Sequence, residues 1–467
     1  MPGLVSFSPR SLGATLSRGI REGPAARLVP WRLLPPLERW TIAHAYPPAT
    51  TPLLQLSGAA PAATLVLGGD LALHRWTTSH DSAALFAGLA RVTGSADACI
   101  VNLESQLTSI TTPVGTIGSS LRADPAAIEV LSRLGVSAVT CANNHCLDAG
   151  AAGLAESMGR LEAAGIVATG ATGTGRDGAG VLLVRGLRVG LLAYTDDWRP
   201  EGASPGGSHP SAHDPATVVA AIAALAPRVD LVVVQLHWGY EWSMYPLRSL
   251  RDLARSYAEA GAHLVVCHHA HVPMGVEVWR GGVIAHGLGN LYFGASTREL
   301  HPHRNASVVL RVGVATGAVT TAELVPIRTD RSGLAGPDTG AGAERTLRCV
   351  SYLSRRLHHD RYLESVERAH QASQGAGLVA DLDRRIGSND RDGARERVRC
   401  MEAPRQRVLT AALRARGGFL GQAAALLDDL RDGGTDLFSP AVCTELAALA
   451  RPARKLLAGY RPVGRLP

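Results

Sequence analysis

Two carboxylates, one amide and four imidazoles fall at the ends of apolar runs along this chain: Asp70, Glu104, Asn144, His145, His237, His269 and His271. Carboxylate oxygen, amide oxygen and neutral imidazole nitrogen suit Mn, Fe, Zn and related divalent ions. A His-x-His pair at a strand end can bring both rings to one centre. Each residue alone has an ordinary explanation. Asp70 could form a turn or cap a helix, and Asn144 could make an Asx-turn. Glu104 could be a surface residue, and His237 a satisfied core histidine. The weight lies in their joint placement. Carboxylates bridging two ions about 3.5–4 Å apart would position a water, lower its pKa and aim it at phosphorus or a carbonyl. No cysteine pair has zinc-finger spacing, which argues against a closed structural zinc site. The cofactor expected is therefore a divalent metal ion (Mn, Fe or Zn), one or two per chain.

Those residues need strands to carry them. From residue 63, short aliphatic runs alternate with Ala- and Leu-rich stretches: 63–70, 98–104, 137–145, 188–196, 230–239, 262–271 and 282–290. Continuous apolar runs of this length suit strands buried on both faces. Helices are expected over 126–135, 152–165, 215–227 and 247–261, several ending in glycine. Strand–helix alternation predicts a layered α/β fold with helices flanking the sheets. Ligands of open α/β sheets bind beyond the carboxyl ends of strands, where the polar residues here fall. Residues 305–328 read as a hairpin closing a sheet. The domains expected are an irregular arm over 1–60, a catalytic-type α/β domain over 61–330, a Gly/Asp/Pro-rich linker over 331–344 and a mostly helical C-terminal region over 345–467. In that last region, His358 and His359 lie on an arginine-rich face and read as solvated.

Composition excludes several classes. The net charge of +7 is spread over 467 residues, and Lys455 is the only lysine, a bias expected of a GC-rich genome. No basic stripe interleaved with aromatics is present, so nucleic acid is not an expected partner. Seven irregularly spaced cysteines do not make a disulfide framework. Cys141, Cys146 and Cys267 read as small buried apolar residues. No window reaches the ~18 apolar residues of a membrane span, and the N-terminus lacks a basic start followed by an apolar run. The expected address is the cytoplasm. The expected partners are an anionic small-molecule or peptide-like substrate and, as an open option, a second copy of the chain.

The motifs GGD (68–70), NLE (102–104), NNHCLDAG (143–150), HWGYE (237–241), HHAH (268–271) and HGLGNLYFG (286–294) together resemble the CapA, or poly-γ-glutamate capsule biosynthesis (PGA_cap), family. That family looks like a branch of the calcineurin-like metallophosphatases, and the match runs over about 63–328. It implies a layered metallophosphatase-like sandwich with helices flanking mixed β-sheets. It also assigns roles. Glu104 takes the bridging position, Asn144, His237 and His269 complete one metal site, and Asp70 with His271 serves the other. His145 stands beside the substrate and stabilises or protonates the leaving group. Asp148 orients His145 or caps the next helix, and Glu241 supports a ligand or faces the substrate. Asn290 is a substrate-side or turn residue. Arg122 is a candidate clamp for carboxylate or phosphate, or a surface arginine.

Two features depart from the pattern. Metallophosphatases usually begin Asp-x-His, whereas this chain reads Asp70, Leu71, Ala72; His74 is the nearest imidazole. Members working in capsule assembly are also membrane-anchored or exported. The resemblance implies a metal-dependent hydrolase or transferase that uses an activated water on a phosphoester or γ-glutamyl, peptide-like substrate. The alternative is an accessory component of poly-γ-glutamate synthesis that binds the polymer or partner proteins.

Overall fold

The computed structural model describes residues 54–74, 76, 81–112, 120–173, 176–196, 209–294, 305–364 and 367. Most of the expected arm (1–53) and most of the expected C-terminal region lie outside them. The description below concerns the unit Pro36–Leu363.

Two large sheets form because the apolar runs must be buried on both faces. The first contains, in order, β1 (Leu54–Gln55), β17 (Ala318–Thr329), β16 (Ala306–Ala315), β2 (Ala63–Leu71), β3 (Ala98–Leu103), β4 (Val136–Thr140) and β5 (Val167–Thr169). β15 (Asn290–Tyr292) pairs with the end of β2, and β18 (Ala335–Pro337) pairs with β17. The second runs β13 (Val276–Trp279), β14 (Gly282–Ala285), β12 (Leu264–His268), β11 (Leu231–His237), β9 (Leu187–Thr195) and β8 (Gly180–Val184). A small third sheet joins β10 (His209–Pro210), β6 (Ala171–Gly173) and β7 (Arg176–Asp177).

In the first sheet β2 to β5 are mutually parallel, as are β9, β11, β12 and β14 in the second. The expected hairpin is β16–β17, in antiparallel register from Ala306↔Arg328 to Ala315↔Ala318. Strand LVVVQLH of β11 is buried along its whole length, as a central parallel strand should be.

The inner faces of the two sheets share one core, in which Leu65, Leu67 and Ile100 pack with Val233, Leu264 and Val283. Helices cover both outer faces. On the first sheet lie α1 (Ser82–Thr93), α2 (Ile128–Arg133) and α3 (Gly150–Ala163), burying Phe86, Leu131 and Leu154 against Val66 and Val101. On the second lie α4 (Pro215–Leu225) and α5 (Arg248–Glu259), burying Ile222 and Tyr257 against Val232 and Val265. The result is a helix–sheet–sheet–helix sandwich, the layered α/β class expected from the alternation. α1 was not singled out in the sequence. Its Asp81 caps Ala84 N–H at 3.1 Å, and Phe86, Leu89 and Val92 recur at helical spacing on its buried face.

The stretch expected to be a linker, 331–344, differs. It contains β18 and the first turn of α6 (Gly340–Arg356). Helix α6 packs on β13, β16 and β17 and contributes Val350 to the inner core. Arg251, 2% exposed, donates to Leu357 O at 2.6 Å and so satisfies the end of that helix. Gly/Pro richness marks turns, and here the turns lie inside the folded unit. His358 and His359 are exposed, as expected. Cys141, Cys146 and Cys267 are buried; burial pushes the Cys267 thiol up to about 12. Among the described residues, no helix is long and apolar enough to cross a membrane.

Candidate metal centre

The parallel strands of both sheets end at one edge, and their last residues turn inward there. Asp70 is next to last in β2, Glu104 follows β3, Asn143 and Asn144 follow β4, His237 ends β11, and His269 and His271 follow β12. Backbone conformation sharpens the convergence. His269 (φ 86°) and His271 (φ 57°) both adopt left-handed geometry, at a cost of roughly 1–3 kcal/mol each for non-glycine residues. That tight turn aims the His269 N–H at Asp70 Oδ2, 3.2 Å away, and sets His271 Nδ1 3.2 Å from the same oxygen.

Glu104 stands at the centre. It is 0% exposed, and neither carboxylate oxygen has a hydrogen-bond partner. His237 Nε2 lies 3.9 Å and His271 Nε2 3.8 Å from its Oε1. A carboxylate stripped of water and of donors is costly unless a cation faces it. Two groups of side chains have ligand atoms within 4.8 Å of one another: Glu104, His237 and His269, and Asp70, Glu104 and His271. Glu104 belongs to both. Asn144 Oδ1 lies 2.9 Å from His237 Nε2, close to the ~3 Å between neighbouring ligand atoms around one ion with bonds of about 2.0–2.2 Å. The oxygen and nitrogen donors, and the orphaned Glu104 oxygens, fit divalent ions of the Mn, Fe and Zn kind.

The electrostatics agree with that fit. Burial pushes the Glu104 carboxyl well above the usual range. Burial also pushes Asp70 up, but hydrogen bonds from His268 and His271 outweigh it and hold Asp70 well below. Burial pulls His237 well below the ordinary histidine value, leaving the neutral ring a metal needs. Burial lowers His271 too, yet Glu104 and Asp70 overrule it and raise the ring to about 10.

Residues behind the ligands fix them. Asn102, fully buried on β3, donates from Nδ2 to Asp70 Oδ1 at 2.9 Å and lies 3.2 Å from His237 Nδ1. Its Oδ1 accepts from Asn143 Nδ2 at 3.1 Å. His268 Nδ1 lies 3.2 Å from Asp70 Oδ1, while its Nε2 faces Gln235 Oε1 at 3.1 Å. Sequence reasoning missed Asn102, Asn143 and His268, although all three sit inside the quoted motifs. An amide within an apolar strand run was the available signal, because a buried amide must be hydrogen-bonded to something specific.

His145 is partly open at the rim, with Nδ1 2.8 Å from Asp148 Oδ2. Asp148 also accepts from Leu121 N–H at 2.6 Å. Of the alternatives for Asp148, orienting His145 matches this geometry, and no side chain caps α3. Gln106 steadies the same loop, accepting from Ala149 N–H and donating to Cys146 O and Gly150 O.

Arg122 and Asn290 are held by neighbouring groups, and His74 stands outside the ligand groups. Arg122 donates from Nε to Ser120 Oγ and from Nη1 to Ile110 O, which ties its guanidinium to its own loop. Asn290 is turned onto His271, with Oδ1 2.9 Å from Nδ1; a metal-ligating histidine typically gives its other N–H to such an acceptor. His74, the nearest imidazole after Asp70, stacks edge-on against Phe293 at 5.7 Å and belongs to neither ligand group.

The comparisons with known proteins bear on this same region. Residues 64–295 match the model described as bacterial capsule synthesis protein PGA_cap. This part of the chain belongs to the PGA_cap family. The match begins on β2 and ends just past β15, so it encloses every candidate ligand. Among PGA_cap relatives, the chain is similar to the PGA biosynthesis protein CapA of Bacillus subtilis, 31% identical over 37% of this chain and 47% of that protein. It is equally identical to the capsule biosynthesis protein CapA of Bacillus anthracis, over 37% of this chain and 44% of that protein. A probable polyglutamine synthesis accessory protein of Mycobacterium tuberculosis is 28% identical over 50% of this chain and 67% of its own. The chain spans about half the length of the first two curated relatives. Among solved structures, a 5'-nucleotidase of Candida albicans is similar at TM-score 0.36 and 12% identity, over 66% of this chain and 60% of that one.

Proposed function

We propose that this chain is a metal-dependent hydrolase or transferase acting on a phosphoester or a γ-glutamyl, peptide-like substrate. The observation that carries the reading is Glu104, a fully buried carboxylate without hydrogen-bond donors, shared by two ligand groups. Glu104, Asn144, His237 and His269 would hold one ion, and Asp70, Glu104 and His271 a second. A divalent ion held there would supply Lewis acidity and a water made acidic enough to attack near neutral pH.

The chain's own groups would do the rest. Asp148 would accept the Nδ1 proton of His145 and leave the Nε2 of that ring to protonate a leaving group. Asn143 Oδ1 accepts the His145 backbone N–H at 3.1 Å and holds the loop against Asn102.

The names of the relatives favour a second reading, a non-catalytic accessory of poly-γ-glutamate synthesis. Turnover separates the two. Protein supplied with Mn, Fe or Zn is assayed against a panel of phosphoesters and γ-glutamyl peptides, alongside His145→Ala and His237→Ala. The hydrolase reading expects metal-dependent turnover that falls about 10²–10⁴-fold without His145. Turnover unchanged in both variants, or none with any metal, overturns it.

A further inference from the structure

Glu241 and Trp242 sit at the rim of the centre, and neither belongs to a ligand group. Glu241 follows β11 and is exposed. Its carboxyl is pushed up by partial enclosure, but the charges of His271 and His269 outweigh that and keep it below its ordinary value. Trp242 is half-buried, its ring centroid 5.4 Å from that of His271, and its Nε1 donates to Glu241 Oε2 at 3.2 Å. The Trp242 backbone is left-handed at φ 64°, a strained state for a bulky residue. A hydrogen bond from Trp242 N–H to Ala270 O at 2.8 Å holds it there. The fold thus accepts backbone strain to keep an indole and a carboxylate beside the ligands.

That pair is the wrong sign for an approaching phosphate dianion. A carboxylate joined to an aromatic face recognises a cation, through ion pairing and cation–π attraction. We propose that Glu241 and Trp242 together bind a protonated primary amine, so that the centre acts on acyl compounds carrying an ammonium group near the scissile bond. This narrows the substrate class within the function proposed above and rests on that reading for the bond cleaved.

The test uses two probes that differ only in the amine: γ-L-glutamyl-p-nitroanilide and glutaryl-p-nitroanilide. Binding of each to the metal-free full chain is measured by calorimetry, and kcat/KM is measured on the Mn-loaded chain. The amine-bearing probe binds about tenfold more tightly in the wild type. Glu241→Gln, an isosteric change at an exposed side chain, brings the two affinities together, and Trp242→Leu narrows the gap. Equal affinities in the wild type, no binding of either probe, or a preference that survives Glu241→Gln each overturn the proposal. Amine preference in binding without any turnover would sink the hydrolase reading and leave the amine site standing. Turnover with equal binding would do the reverse.

Discussion

Asn102 and His237 lie 135 positions apart in the chain, yet Asn102 Nδ2 stands 3.2 Å from His237 Nδ1. One ends a strand of the first sheet and the other a strand of the second, so this contact joins the two halves of the sandwich at the ligands themselves. Asn102→Ala removes it, together with the amide donor to Asp70 Oδ1 and one of the two acceptors of Asn143 Nδ2. Metal affinity should fall about 10–100-fold, as when other ligand-orienting partners are removed. Stability should fall by about 1–3 kcal/mol for the buried hydrogen bonds lost. Chelator competition and urea unfolding measure the two effects, and unchanged metal affinity would contradict this account of the centre.

Glu104→Gln separates the ligand role from stability. The wild-type carboxylate makes no hydrogen bond, so an amide of the same shape loses none. The metal-free variant should melt within a few degrees of the metal-free wild type, or above it. The metal response should differ sharply. Wild type at a hundredfold excess of metal over Kd gains about 2.7 kcal/mol, visible as a raised Tm, and Glu104→Gln should lose most of that gain. Elemental analysis of the same samples checks the stoichiometry; near wild-type metal content in the variant would refute a shared ligand.

Gly69 and Gly289 explain why glycines flank two of the motifs. A Cβ on Gly69 would lie 1.8 Å from the Gly289 carbonyl oxygen, and Asp70 N–H donates to that same oxygen at 3.1 Å. Gly69→Ala must therefore move backbone, and should cost about 3 kcal/mol or more. It should also weaken metal binding, because Asp70 and Asn290 shift with it. Gly68→Ala meets Leu291 Cδ2 at 2.9 Å, the end of a flexible side chain, and should cost less. Unfolding midpoints of the two variants give the ordering, and the opposite order would be a refutation.

Away from the centre, Glu277 accepts from His286 Nε2 at 2.9 Å and from Arg255 Nη2 at 2.6 Å. Burial raises its carboxyl, but those partners outweigh it and lower it to about 2. A folded value below the unfolded one adds stability above about pH 4.5, lost as pH falls toward 2. Wild-type Tm should therefore drop between pH 5 and pH 2.5. Glu277→Gln should start lower, because Arg255 loses its partner, and then fall less steeply over the same range. Parallel slopes would show that Glu277 does not titrate in that window.

Much of the architecture is legible because burial leaves a local signature. Strands covered on both faces, such as β2 and β11, must be mostly apolar, and the polar residues at their carboxyl ends, Asp70 and His237, then stand out against the run. Repeated strand–helix alternation fixes the layered class for the same reason. The motif order also carries the ligand set, since the ligands fall at or just past strand ends.

Tertiary structure alone decided how those ends combine. Glu104 lies between two ligand groups because two sheets stack with their carboxyl edges aligned, a relation no local period encodes. Asn290 turns onto His271, Arg122 is spent on Ser120 and Ile110, and His268 reaches Asp70; each depends on contacts between distant segments. The stretch at 331–344 reads as a linker because its residues favour turns, yet β17 pairs its strand and the inner core receives its helix. Sequence determined which side chains could bind a metal, and the packing of sheet on sheet decided which of them meet.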